Sequence, residues 1–86
     1  MKLKKEFIVH DTGSEFMLVP VGDADWAGMV KGNKTFGAIL NLLKEDTTED
    51  AIIEAMKDRF EAPEDIIARD VRTVIAELRK IGAINE

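Results

Sequence analysis

The order of its parts constrains this chain more than any single residue does. Two short alternating apolar runs come first, at Phe7–Val9 and Phe16–Val21. A third, Met29–Lys31, leads straight into Asn33, Lys34, Thr35 and an amphipathic helical pattern. Two more helical patterns follow before the chain stops shortly after Ile81-Gly82-Ala83-Ile84. Period-2 runs ahead of period-3.6 runs predict an α+β fold, a three-stranded antiparallel sheet followed by three helices. A small sheet in that position leaves a strand edge beside a helix. Such an edge suits binding an extended peptide better than chemistry.

Within the first half, Glu6-Phe7-Ile8-Val9-His10 reads as a strand and Phe16-Met17-Leu18-Val19-Pro20-Val21 as its return. Asp11-Thr12-Gly13-Ser14 between them is a turn signal, with Gly13 free to take positive φ. Pro20 cannot donate to a ladder, so the strand is expected to end or to lie at an edge there. Residues 22–28 read as a loop and Met29-Val30-Lys31 as a short third strand.

Asn33 is a good N-cap, with Phe36, Ile39, Leu40 and Leu43 spaced as one helical face behind it, so the first helix is predicted over 34–44. Thr47-Thr48-Glu49-Asp50 fits a capping signature. The second helix, about 48–60, turns Ile52, Ile53, Met56 and Phe60 inward. Pro63 suits a first helical position, and Glu64 and Asp65 suit the positive end of the dipole. The third helix, about 63–81, shows Ile67, Val71, Val74, Leu78 and Ile81 on one stripe, with Ile75 on its flank, and Gly82 as a C-terminal cap. No repeat, low-complexity stretch or linker divides the 86 residues, which suffice for one domain over 1–86.

Composition narrows the function classes. There is no cysteine, which excludes disulfides, thiolate metal sites and thiol nucleophiles, and favours the cytosol for a domain of this size. The N-terminus runs into a strand pattern without an apolar signal segment, and no apolar run approaches a membrane span. Net charge is −5, and the excess lies entirely in residues 44–86, with seven basic and twelve acidic side chains. An acidic helical half argues against binding nucleic acid, which depends on neutralising phosphates.

Catalysis finds little support. His10 and Ser14, the only residues of their types, sit at either end of one turn, where a surface role is the ordinary reading. Scattered carboxylates show no metal-ligand spacing, the six glycines form no phosphate loop, and no cofactor is implied. Glu49-Asp50 and Glu64-Asp65 are helix-start residues. Arg69, Arg72, Arg79 and Lys80 on the third helix read as a solvated face, since Asp65, Asp70 and Glu77 dilute them. Two other readings are a DNA-contacting face and a groove flank that meets a bound peptide. The third strand is the sharper candidate, because a short free edge exposes N–H and C=O groups that another chain can pair with. Its plain alternative is an edge blunted by brevity. Trp26 either folds onto the core or walls the groove beside that strand.

Taken together, these segments resemble the PqqD-like family, the peptide-chaperone modules also called RiPP recognition elements, over roughly residues 3–84. Residues 2–25 look like the family's N-terminal hairpin. Val30-Lys31-Gly32-Asn33-Lys34-Thr35 with Ile39 looks like its strand-to-helix junction. Thr47-Thr48-Glu49-Asp50 with Ile52 or Ile53 resembles its second-helix start, and Asp70-Val71, Val74-Ile75, Leu78 and Gly82 its third helix and ending. The chain departs at Gly32, where the family usually has a larger apolar residue. It departs again at Phe36-Gly37, in place of a small-residue pair, and at Leu40, in place of a common aromatic.

The resemblance implies a winged-helix-like fold that binds the leader region of a ribosomally made precursor peptide and performs no chemistry itself. The leader would add as a strand on the third strand, against the third helix. The module would then present the precursor to a maturation enzyme, often a radical-SAM protein. The groove residues expected on this reading are Met29, Val30 and Lys31 on the strand and Arg69, Arg72, Ile75 and Arg79 on the helix. Lys31 and the arginines would steer an acidic leader. On this reading the chain is a monomer or weak homodimer. The alternatives are a small winged-helix DNA-binding regulator and a structural protein that self-associates through its edge.

Overall fold

A computed structural model describes residues 1–22 and 28–86 of the chain. Its elements run β1 (Lys2–Leu3), β2 (Phe7–Asp11), β3 (Phe16–Pro20), β4 (Val30–Gly32), α1 (Lys34–Leu42), α2 (Glu49–Arg59), α3 (Glu64–Lys80) and β5 (Ile84–Asn85). Strands β2, β3 and β4 form one antiparallel sheet in that order, and three helices follow, as the alternation of periods predicts. Ile8 lies opposite Val19, and Met17 opposite both His10 and Lys31. Trp26 and the middle of the loop expected over 22–28 lie outside the described residues.

The hairpin turn is built from its own side chains. Gly13 takes φ +95° and donates its N–H to Asp11 Oδ1 at 2.8 Å, while Thr12 Oγ1 accepts from Glu15 N at 3.1 Å. β3 is the central strand, yet β4 pairs only with Phe16–Leu18. Pro20 stands at the strand's end, beyond that overlap, where its missing N–H breaks no bond to β4.

The helix caps follow from residue chemistry. Asn33 Oδ1 accepts from Phe36 N at 3.2 Å, and Thr48 Oγ1 accepts from Ala51 N at 3.1 Å. Each side chain satisfies an N–H with no intrahelical partner. α3 closes at Gly82, whose φ of +73° lets Ala83 N reach Leu78 O at 2.8 Å and Gly82 N reach Arg79 O at 3.1 Å. These two bonds form a Schellman ending, with Ala83 and Leu78 as its apolar pair. α1 starts at residue 34 as expected and ends two residues early, and α2 and α3 are each one residue shorter at both ends than the periodicity suggests. The flanking residues Leu43, Thr48, Phe60, Pro63 and Ile81 are caps rather than helical turns.

The core draws on every helix and the inner face of the sheet. Leu18, Ile39, Leu40, Leu43, Ile52, Met56, Val71, Ile75 and Leu78 are fully buried. On α3 the buried set is therefore 67, 71, 75 and 78, not 67, 71, 74 and 78. Ile75 is 0% exposed, while Val74 and Ile81 are only half-buried. α2 is tied to the start of α3 by Lys57, whose Nζ lies 3.2 Å from Glu64 Oε1 and 3.4 Å from Glu54 Oε1. The bond to Glu64 leads the causes that hold the Lys57 ammonium above its ordinary pKa.

Two features are not apparent in the sequence pattern. β1 and β5 pair as a two-stranded antiparallel ribbon, with Leu3 opposite Ile84, and so join the two ends of the chain. Two aromatic rings also lie directly over glycines. The Phe36 side chain fills the space where a Cβ at Gly32 would stand, and the Phe16 ring fills that of Gly37. The third strand consequently runs over Val30–Gly32 rather than Met29–Lys31. Gly32 stays in the sheet opposite Phe16 because its missing side chain admits the Phe36 ring, while Met29 precedes the strand and is exposed.

Candidate functional site

Among the described residues β4 has a neighbour on one side only, so its second edge is unpaired. Asn33 caps α1 immediately after the strand, which turns the chain away and leaves that edge open. Facing it is α3. Between the two runs a cleft of about 270 Å³. Val30, Lys31 and Gly32 form its strand side, Phe36 lies beneath, and Thr73, Val74 and Glu77 form its helical wall.

The cleft does not stop at the end of β4. Asn33, Phe36, Thr73 and Val74 also line a hollow of about 220 Å³, which reaches Thr35 and Asp70. Thr35 and Asp70 in turn border a pocket of about 170 Å³ between α1, the α2–α3 connection and α3. Met56, Phe60 and Ile67 give that pocket an apolar lining, and Glu61 and Asp70 lie at its border. Shared residues thus join the three hollows into one groove along α3.

Of the expected site residues, Val30 and Lys31 line the cleft. Met29 stands exposed just ahead of it. The helical set is on other faces. Ile75 belongs to the core. Arg72 meets Glu49 of α2, with Nε 3.5 Å from Oε2, and Arg79 meets Glu86, with Nη2 2.7 Å from Oε1. Arg69 is exposed and lines none of the three hollows. The helical wall is instead Asp70, Thr73, Val74 and Glu77. Their spacing of 70, 74 and 77, with 73 beside it, is itself a helical face in the sequence. Counting Val74 in the buried stripe hides that face, and Val74 is half-buried at the cleft.

The electrostatics of the groove follow from this rotation. The α3 cations at 72 and 79 are engaged with carboxylates outside the groove, whereas Glu61, Asp70 and Glu77 have no ion-pair partner among the described residues. Among the described residues Lys31 is the single cation of the lining. The groove is therefore apolar at its floor and acidic on its helical side, the opposite of a wall suited to an acidic ligand. Among the described residues, no group of three or more His, Cys, Asp or Glu side chains is placed to hold a metal. None of their helices is long and apolar enough to cross a membrane.

Comparison with known proteins bears on the family and the fold. The family model for coenzyme PQQ synthesis protein D (PqqD) matches residues 10–84. Two solved structures share the fold. TbiB1 in complex with the TbiA(beta) leader peptide superposes with a TM-score of 0.77 at 17% identity, over 99% of this chain and 100% of that one. Lasso peptide synthetase B1 complexed with the leader peptide gives 0.75 at 18% identity, over 99% and 96%. No curated protein matches the chain.

Proposed function

The chain belongs to the PqqD family, and from that premise we propose that it binds the leader region of a ribosomally synthesised precursor peptide and presents it to a modifying enzyme. The leader adds as a strand to the open edge of β4 and lays alternate side chains into the cleft against α3. The observation that carries this reading is the unpaired β4 edge facing an apolar-floored cleft. The fold is one that two leader-peptide complexes share. Backbone pairing supplies affinity with little sequence demand, and the cleft supplies selectivity. The partner that acts on the presented precursor is a tailoring enzyme, of the radical-SAM class in our reading. The groove residues are Val30, Lys31, Phe36, Thr73, Val74 and Glu77, with Met29 at the strand's approach.

The test is calorimetric titration of the protein with synthetic leader peptides of candidate precursors. Alternate residues of a strand direct their N–H groups to opposite sides. Of Val30→Pro and Lys31→Pro, one therefore removes a donor from the open edge and the other a donor toward β3. We expect saturable binding to the unaltered protein. The open-edge proline variant should lose tenfold or more in affinity, about 1.4 kcal/mol, with its circular dichroism unchanged. Leader affinity unchanged in both variants would refute strand addition at β4. A concentration-dependent dimer that the leader does not dissociate would assign the edge to self-association instead.

A further inference from the structure

Resting on that reading, we propose that the bound peptide continues past Gly32 along α3 and seats an apolar side chain in the pocket lined by Met56, Phe60 and Ile67, with an adjacent lysine or arginine held by Glu61 and Asp70. The ligand class is thus a leader carrying a basic–apolar pair outside its strand-forming segment. It is not an acidic leader.

Three observations converge. The first is continuity. The pocket is joined to the β4 cleft through Thr35, Asp70, Asn33 and Val74, so a chain lying on β4 is led into it. The second is shape and polarity. Met56 and Ile67 are buried and Phe60 half-buried, which gives the pocket an apolar lining without a buried polar group to satisfy. The third is charge. Glu61 and Asp70 at this border and Glu77 along the groove form no ion pair among the described residues, and no lysine or arginine of those residues lines the pocket to offset the first two. A cation supplied by the ligand complements that wall, and an anionic ligand is repelled by it.

Direction follows from the sheet. Every pair in β2–β3–β4 is antiparallel. A strand that continues the pattern runs opposite to β4. The residues beyond Gly32 then lie N-terminal to those paired with Val30 and Lys31. The basic–apolar pair is expected on the N-terminal side of the β-forming segment of the ligand.

The experiment selects a phage-displayed library of random dodecapeptides on the immobilised protein, and measures individual synthetic winners by fluorescence anisotropy. Expected winners carry Lys or Arg beside a large apolar residue, N-terminal to a β-prone run. Their affinity should fall roughly fivefold or more in the exposed double variant Glu61→Lys/Asp70→Lys, the scale of one or two screened charge pairs. It should return when the peptide's basic residue is changed to Glu. Phe60→Ala should weaken the same peptides by about tenfold, as loss of a buried anchor does. Suppose winners depend on β4 by the proline test, yet show no basic enrichment and bind the double variant unchanged. The pocket assignment then fails while the strand-addition reading stands. Winners that ignore the β4 prolines, or no winners at all, would overturn both.

Discussion

At Gly32 and Gly37 the absence of a side chain does structural work. Phe16 of β3 pairs across the sheet with Gly32 of β4, while its ring lies over Gly37 of α1; Phe36, the neighbour of Gly37, lies over Gly32. The two contacts lock strand and helix in a crosswise manner, and each fixes its glycine by exclusion of a Cβ. The sequence displays both glycines, and against the family pattern it displays them as departures. It does not display that the bulk absent from position 32 has been supplied from position 36 on the helix. That exchange is spatial, and no local pattern encodes it. Gly32→Ala is therefore expected to destabilise by about 1–3 kcal/mol through overpacking. Phe36→Leu should cost about 1 kcal/mol or more by itself through lost packing. The double variant should cost clearly less than the two together, with a coupling of at least about 0.5 kcal/mol in urea unfolding. Additive losses would mean that the ring is not what confines position 32.

Among the elements, the strands β2 and β3, the three helices and the cap at Asn33 were legible, because each announces itself over four or more residues by period or by capping chemistry. The capping signature Thr47-Thr48-Glu49-Asp50 points one residue early, since Thr48 is the residue that caps α2. The rotation of α3 was not. Spacings of 67, 71, 74, 78 and 67, 71, 75, 78 satisfy a helical period equally, and Val74 and Ile75 are adjacent β-branched residues of similar apolarity. The choice is made by the neighbours. α1, α2 and β5 pack against one side of α3 and enclose Ile75, whereas the three-residue β4 is too short to cover Val74 and leaves it at the cleft. The rotation also decides which charges face β4: Asp70 and Glu77 stand on that side of α3, and Arg72 and Arg79 pair with carboxylates elsewhere. The corrected rotation makes a paired prediction. Ile75→Ala should destabilise by about 2–5 kcal/mol, as removal of a fully buried side chain does. Val74→Ser should cost about 1.5 kcal/mol or less in stability, yet weaken leader binding several-fold in the same titration. Equal losses of stability, with leader affinity untouched by Val74→Ser, would return Val74 to the core and the cleft to another face.

Over the whole molecule, the ends of the chain are tied by the β1–β5 ribbon, which no pattern of two-residue strands could reveal, since alternation needs a longer run to be seen. Leu3 N donates to Leu43 O at 2.9 Å and Lys4 N to Ala83 O at 2.9 Å, so β1 bridges the end of α1 and the segment after α3. Met1 continues the seam, its amino group 2.9 Å from Asp46 Oδ1, which holds that carboxyl below its ordinary pKa. Leu3, Ala83 and Ile84 are buried together in the same core as Leu43 and Leu78. The family match begins only at residue 10, so this clasp lies partly outside the matched segment. It also shares no residue with the groove along α3. On the proposed reading the leader therefore binds away from this clasp. Leu3→Ala is expected to remove about 2 kcal/mol or more, which in a chain of this size lowers the melting temperature by roughly 8 °C or more. Leader affinity measured well below that temperature should remain within about twofold of the unaltered protein. A variant that keeps its melting temperature would show that the ribbon is peripheral to the core. A variant that melts early and also loses the leader at low temperature would show that the clasp sets the separation of β4 and α3, so that the groove depends on both ends of the chain.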